Sequence, residues 1–231
     1  MYIFFKRFFD VLLSAIAIVC LSWLLIPIAV ILKCTGEHYV FYKQPRVGQG
    51  GKMFDVLKFA TMLKDSPNMR GGTTTVRNDP RVLPFGRFLR KTKLNELPQL
   101  FNILLGSMSI IGPRPLVPKE FSRYSETDQW TIKQLKPGLS GVASVIFRDE
   151  EDYISQAKDP VEFSGQVIQP HKGKLETWYY NHRNLWVDFM IVFLTVWVVL
   201  FPQSDLPYRL FKDMPRIDLK METHKFNEAH A

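Results

Sequence analysis

From Val11 to Leu32 the chain carries no charged residue and consists mainly of Leu, Ile, Val and Ala. As a straight helix this run rises about 33 Å at roughly 1.5 Å per residue, close to the roughly 30 Å of a bilayer's hydrocarbon layer. A core helix so long and apolar would need protein on all sides. A cleavable leader is not expected either, because the run is too long and no small-x-small site follows it. The flanks constrain the geometry further. Lys6 and Arg7 precede the run and Lys33 follows it, so a simple span places one positive flank on the wrong side. Pro27 removes the hydrogen bond to the carbonyl of Trp23 and crowds the preceding turn, which predicts a kink. A helix bent there can enter and leave by one face. The residues alone leave spanning and re-entrant forms equally open.

The 231 residues suffice for one medium domain plus an anchor. Net charge is +8 and the pI about 9.4, which points to anionic partners. The surplus is concentrated: from Lys43 to Lys93 twelve Lys and Arg face three Asp. Nucleic acid fits that charge, but no recognition module accompanies it and no nucleic-acid partner is expected. Cys20 and Cys34 give neither a disulfide framework nor a metal spacing, which suits a reducing compartment.

Residues 40–47 and 53–59 read as short strands around Gly48-Gln49-Gly50-Gly51, a hairpin signature. The glycine cluster is not a Walker loop, since Gly51-Lys52 is followed by Met53. Residues 65–80 read as a loop, and helix returns at residues 86–91. Asn95 is placed to cap the next helix, with Glu96 in its first turn, Leu97, Leu100, Phe101 and Leu104 at helical spacing, and Gly106 as the stop. Gly112-Pro113-Arg114-Pro115 predicts a rigid turn that fixes one arginine, and residues 136–141 predict another turn. The acids of residues 149–152 read as a solvated helix start. Residues 185–201 are apolar but contain Asp188, so a core or interfacial helix is expected, with Trp186, Trp197 and Tyr208 as boundary anchors. Past Lys212 a loosely ordered tail is expected.

Three features point to phosphate chemistry: cations beside a membrane, one carboxylate at a helix start among them (Arg90, Lys91, Lys93, Glu96), and an arginine held between prolines. Cations and a metal neutralise charge on transferring phosphoryl oxygens. Magnesium takes one or two carboxylates plus substrate phosphates, a demand Glu96 can meet. Each feature also has a structural reading: a cap, a dipole-matched acid, a stiff loop, a solvated basic face.

Several motifs together resemble one family. They are Lys6-Arg7-x-x-Asp10, residues 41–48 (FYKQPRVG), residues 58–62 (KFATM), residues 89–99 (LRKTKLNELPQ), Asn102, residues 106–109 (GSMS), residues 112–115 (GPRP) and residues 136–138 (KPG). In this order they resemble the bacterial sugar transferases, the monotopic phosphoglycosyl transferase superfamily. The resemblance implies an α+β, mostly helical fold: a re-entrant membrane helix over residues 1–36, a cytoplasmic catalytic head with one short hairpin over 37–182, and an interfacial helix and tail over 183–231. It implies a Mg²⁺-dependent enzyme on the cytoplasmic face of the bacterial inner membrane. Such an enzyme moves a sugar-1-phosphate from a UDP-sugar to undecaprenyl phosphate, releases UMP and opens assembly of an O-antigen, capsule, exopolysaccharide or glycoprotein glycan. Inner-membrane lipids are further partners, and self-association is left open. In the family an aspartate attacks the sugar-bearing phosphorus and the covalent phosphosugar passes to the lipid phosphate.

Residue by residue, the family's Asp-Glu pair falls on Asn95 and Glu96, and Glu96 matches the metal-binding acid. Lys58, Arg90 and Arg114 match the cations that hold phosphates and nucleotide, with Arg46 and Lys91 beside them in the same motifs. Asn95 departs from the pattern, because an amide cannot act as a carboxylate nucleophile. Glu96 taking over the attack, direct transfer without an intermediate, and an inactive scaffold of a glycan-assembly complex are the alternatives. The kink departs too: Ser commonly precedes the membrane proline, whereas here Ile26 does and Ser22 lies a turn earlier.

Overall fold

A computed structural model describes residues 1–69, 79–202 and 204–230. In chain order the elements are α1 (Tyr2–Cys34), β1 (Phe41–Val47), β2 (Met53–Phe59), α2 (Pro84–Lys91), α3 (Gln99–Leu105), β3 (Ser109–Ile111), α4 (Pro118–Phe121), α5 (Glu126–Gln134), β4 (Gly138–Ser140), α6 (Val142–Ile146), α7 (Glu150–Gln156), α8 (Pro160–Phe163), α9 (Gln169–His182), α10 (Leu185–Leu200), α11 (Leu206–Leu210) and α12 (Leu219–Ala229). The chain is mostly helical, as its sequence implies. The β1–β2 hairpin falls where the glycine cluster places it. The loop read over 65–80 lies largely outside the described residues; its start is a short 3₁₀ turn, Ser66–Asn68.

Three expectations need correction. Asn95 does not cap a helix: it lies inside a 3₁₀ turn, Leu94–Glu96, while α3 begins after Pro98 without a side-chain cap. Residues 136–141 are more than a turn, because β4 pairs in parallel with β3, Ser109 opposite Gly138 and Ile111 opposite Ser140. Strands of three residues give no readable alternation, so this pair was invisible in the pattern. The tail is ordered, since Asp218 caps α12 through the amides of Lys220 and Met221 and Phe226 enters the core.

Contacts divide the chain into two compact units. One comprises residues 8–45 and 55–106. Its core joins Leu25, Ile28 and Leu32 of α1 to Phe59 of β2 and Leu89 of α2. α2 lies flush on the strand exit: a Cβ at Gly86 would stand 2.2 Å from the carbonyl oxygen of Thr61. Gly86→Ala is therefore expected to cost about 3 kcal/mol by overpacking, read as a lower denaturation midpoint. Gly106 ends α3 at φ 96, in the left-handed conformation suited to glycine.

α1 is continuous through Pro27. Its side chains at Ile3, Phe8, Ile16, Val19, Trp23 and Ile26 stay exposed, and only 17% of its most apolar window is covered by protein. That is the surface of a helix meant for lipid, not for a core. Ser22 bonds back to the carbonyl of Val19 at 2.7 Å, a contact that bends helices.

The other unit comprises residues 1–7, 46–54 and those from Ser107 onward. Its core gathers Ile111, Val142, Phe163, Leu175, Tyr179, Ile191 and Leu194 around α9 and α10. Asp188, in the first turn of the otherwise apolar α10, is buried. It accepts from the hydroxyls of Tyr179 (2.6 Å) and Tyr2 (2.8 Å) and pairs with Lys6 at 2.9 Å. One carboxylate thus holds the first turns of α1 to α9 and α10. Asp188→Ala is expected to cost about 3 kcal/mol by leaving a half-buried ammonium and two hydroxyls without their acceptor, measured by denaturant unfolding. Lys6→Met added to Asp188→Leu should recover part of the loss.

Candidate active site

The site grows from β2. Val56 and Phe59 are buried and fix the strand, while Asn102 of α3 reaches back to it. The Asn102 Nδ2 donates to the carbonyl of Asp55 at 2.7 Å, and its Oδ1 accepts from the amide of Leu57 at 2.8 Å. The side-chain amide thereby replaces a neighbouring strand and sets the backbone that presents Lys58. Asn102 belonged to a recognised motif but had no assigned role. The available signal was an amide among the apolar positions of α3.

Glu96 arrives from the other side. α2 ends with Arg90 and Lys91, cations suited to the negative end of a helix dipole. Lys93 then turns the chain in a left-handed conformation, φ 60, into the 3₁₀ turn that holds Asn95 and Glu96. Leu94 and Leu97 pack into the core on either side, which fixes the orientation of this turn. The result is an ion pair, Lys58 Nζ to Glu96 Oε1 at 3.6 Å, both side chains about one-fifth exposed. Asn95 beside it is buried, Arg90 half-buried and Lys91 exposed. Residues 58, 90, 91, 95 and 96 therefore belong to one unit, with a carboxylate and an ammonium brought together from distant parts of the sequence.

Arg46 and Arg114 belong to the other unit. Pro113 and Pro115 are buried and Arg114 between them is exposed. Neighbouring chain grips this loop on both sides: the amide of Gly138 donates to the carbonyl of Pro113 at 2.8 Å, and that of Val47 to Leu116 at 2.9 Å. Arg46 Nη1 donates to the carbonyl of Pro115 at 3.0 Å and lies 3.7 Å from Glu120. Arg46 is thus committed to holding the loop that displays Arg114.

Among the described residues no cluster of three or more His, Cys, Asp or Glu could hold a metal unaided. A single carboxylate such as Glu96 is compatible with a magnesium ion that takes its remaining ligands from phosphate oxygens.

Residues 1–202 match the bacterial sugar transferases, and the chain belongs to that family. It is 36% identical over 194 residues to the UDP-glucose:undecaprenyl-phosphate glucose-1-phosphate transferase of Escherichia coli, covering 83% of this chain and 39% of that protein. It is 33% identical over 211 residues to the undecaprenyl-phosphate galactose phosphotransferase of Salmonella typhimurium, covering 85% and 40%. Against the exopolysaccharide production protein ExoY of Rhizobium meliloti identity is 34% over 205 residues, 83% of each chain. The chain thus spans about 40% of the length of the first two relatives.

Proposed function

We propose that this chain transfers a sugar-1-phosphate from a UDP-sugar to undecaprenyl phosphate and releases UMP, the first membrane step of a bacterial glycan. The observation that carries the reading is the Lys58–Glu96 pair, a charge-matched carboxylate on a turn preceded by Arg90 and Lys91. Relatives named for this transfer align across that turn.

In the reaction an oxygen nucleophile attacks the sugar-bearing phosphorus, the bond to the bridging oxygen breaks, and UMP leaves with that oxygen. Lys58 and Arg90 neutralise the phosphate oxygens, and the family resemblance counts Arg114 among the cations that hold phosphates and nucleotide. Asn95, an amide, cannot attack; buried at the turn, it can orient a phosphate oxygen through its N–H groups. Glu96 can take over the attack, with metal binding shared by other groups; an oxygen of the lipid phosphate then attacks the same phosphorus and the Glu96 carboxylate leaves, free again. Magnesium, when bound, would be held chiefly by the diphosphate, with Glu96 as its protein carboxylate in the direct-transfer form, and would supply further charge neutralisation.

The test is direct: purified protein, a panel of UDP-sugars, undecaprenyl phosphate and Mg²⁺, with UMP as readout. Absence of UMP for every sugar would sink the reading. With donor alone, intact mass should show a phosphosugar adduct that survives Asn95→Ala and vanishes in Glu96→Gln. Turnover without an adduct assigns direct transfer instead.

The same reading makes α1 re-entrant, with the head on the cytoplasmic face of the inner membrane. The charge pattern supports it: Lys6 and Arg7 before the apolar run and Lys33 after it both favour the positive, cytoplasmic side. With the exposed Cys20 and Cys34 replaced, single cysteines at positions 1 and 36 should label from the same face. Labelling from opposite faces would overturn the re-entrant form.

A further inference from the structure

Residues 204–230 lie beyond the part of the chain that matches the family, yet they are built into the core. Phe211, Met214 and Phe226 are buried; Phe226 meets Phe163 edge-on at 5.2 Å, and Phe211 lies 5.0 Å from Trp178. Asn227 fastens α12 to the α7–α8 connection, accepting from the amide of Lys158 at 2.8 Å and donating to the carbonyl of Gln156 at 3.0 Å.

A histidine stands at each end of this contact. His182 Nδ1 lies 2.8 Å from the carbonyl oxygen of Trp178. A carbonyl only accepts, so Nδ1 carries a hydrogen. Nε2 of the same ring lies 2.9 Å from Oδ2 of Asp213, which also accepts from the indole of Trp178 at 3.1 Å. That indole hydrogen bond chiefly, with the charge of His182 adding, holds the Asp213 carboxyl below its ordinary range, so it stays an acceptor. A neutral imidazole has one N–H and can serve one of the two acceptors. Serving both requires the imidazolium. His230 has a looser counterpart: Nδ1 is 2.8 Å from the carbonyl of Phe226, and Nε2 lies at ion-pair distance, 3.5 Å, from Oε2 of Glu162 on α8.

Several neighbouring charges are engaged with other groups. Lys158 Nζ donates to the carbonyl of His230 at 3.4 Å, and Glu228 faces His224 at 3.5 Å. Arg183 lies over the ring of Tyr180 and donates to its carbonyl. Gln166 donates to the other oxygen of Glu162 at 2.6 Å.

We propose that residues 204–230 form a proton-sensitive strap, closed by charged His182 on Asp213 and charged His230 on Glu162, and loosened when the two rings lose their protons. Histidine is the side chain that makes this change between about pH 5 and pH 8. Both pairs are partly exposed, so each latch is weak by itself, and the strap needs the two together.

Hydrogen exchange of the full chain in detergent micelles, corrected for intrinsic rates, tests this at about pH 5.5 and about pH 8. Protection of the α12 amides should fall about threefold per latch, roughly tenfold in all, while α9 stays protected. His182→Gln combined with His230→Gln should show the high-pH level at both pH values. Equal protection of the wild-type strap at the two pH values, or a pH step retained in the double variant, would overturn the proposal.

Discussion

Glu96→Gln is expected to lower UMP release by at least about a thousandfold, against a far smaller loss in Asn95→Ala. The substitution keeps the shape of the side chain and removes its charge. In the wild type the carboxylate lies 3.6 Å from the Lys58 ammonium and is aimed from a turn with little freedom: Lys93 is left-handed and Leu94 and Leu97 are packed. An amide cannot attack phosphorus, and without the negative charge it holds a phosphate-borne cation far more weakly than a carboxylate does. Asn95 differs in kind, since its amide already lacks the charge and its truncation removes only hydrogen bonds. Lys58→Met gives the control that separates charge from geometry. It should weaken activity by about a hundredfold or more, yet leave the fold intact because β2 is fixed by Asn102 rather than by Lys58. If Glu96→Gln retained a tenth of wild-type turnover, the turn would not be the reaction centre.

How much of this was legible follows from the range of each signal. The anchor and the hairpin are local patterns: an uncharged run, and glycines between short strands. The hairpin and α2 lie within two residues of where the sequence places them, whereas α1 begins at Tyr2, nine residues before the uncharged run, and ends two residues after it. Glu96 was legible as a first-turn acid, but its partner was not, because the Lys58 contact spans elements that only folding brings together. The false cap at Asn95 has a definite cause. Capping chemistry favours Asn before Glu and Pro, whereas the left-handed Lys93, a conformation few non-glycine residues adopt, starts a 3₁₀ turn and delays α3 past Pro98. The order of residues 204–230 was hidden by polarity. Few of its side chains are apolar, but Phe211, Met214 and Phe226 are spaced to reach the core.

Glu176→Gln is expected to make the protein more stable at pH 8 by several kcal/mol and to leave it nearly unchanged at pH 4.5. Glu176 on α9 is 4% exposed and its Oε2 has no hydrogen-bond partner among the described residues. Burial pushes its carboxyl from 4.5 up to about 8, and Lys172 opposes the rise only in part. Lys172 is itself engaged 2.5 Å from Glu150. The surroundings hold more acid than base: Tyr124, whose hydroxyl is raised first by its own burial, also feels Glu176, Glu150, Glu120 and Asp128. The sign follows from proton counting. Between 4.5 and about 8 the folded protein keeps a proton on Glu176 that the unfolded chain has lost, so stability falls as pH rises through that window and levels off above it. At about 1.4 kcal/mol per pH unit the whole window amounts to roughly 3–5 kcal/mol. Gln has the shape of the protonated form and cannot ionise, so the difference between variant and wild type should grow from near zero to that value across the window. Denaturant unfolding of both proteins at several pH values measures it, and the difference cancels every other titrating group. A variant less stable than wild type at pH 8 would mean that Glu176 is charged in the fold and paired by a group that compensates its burial.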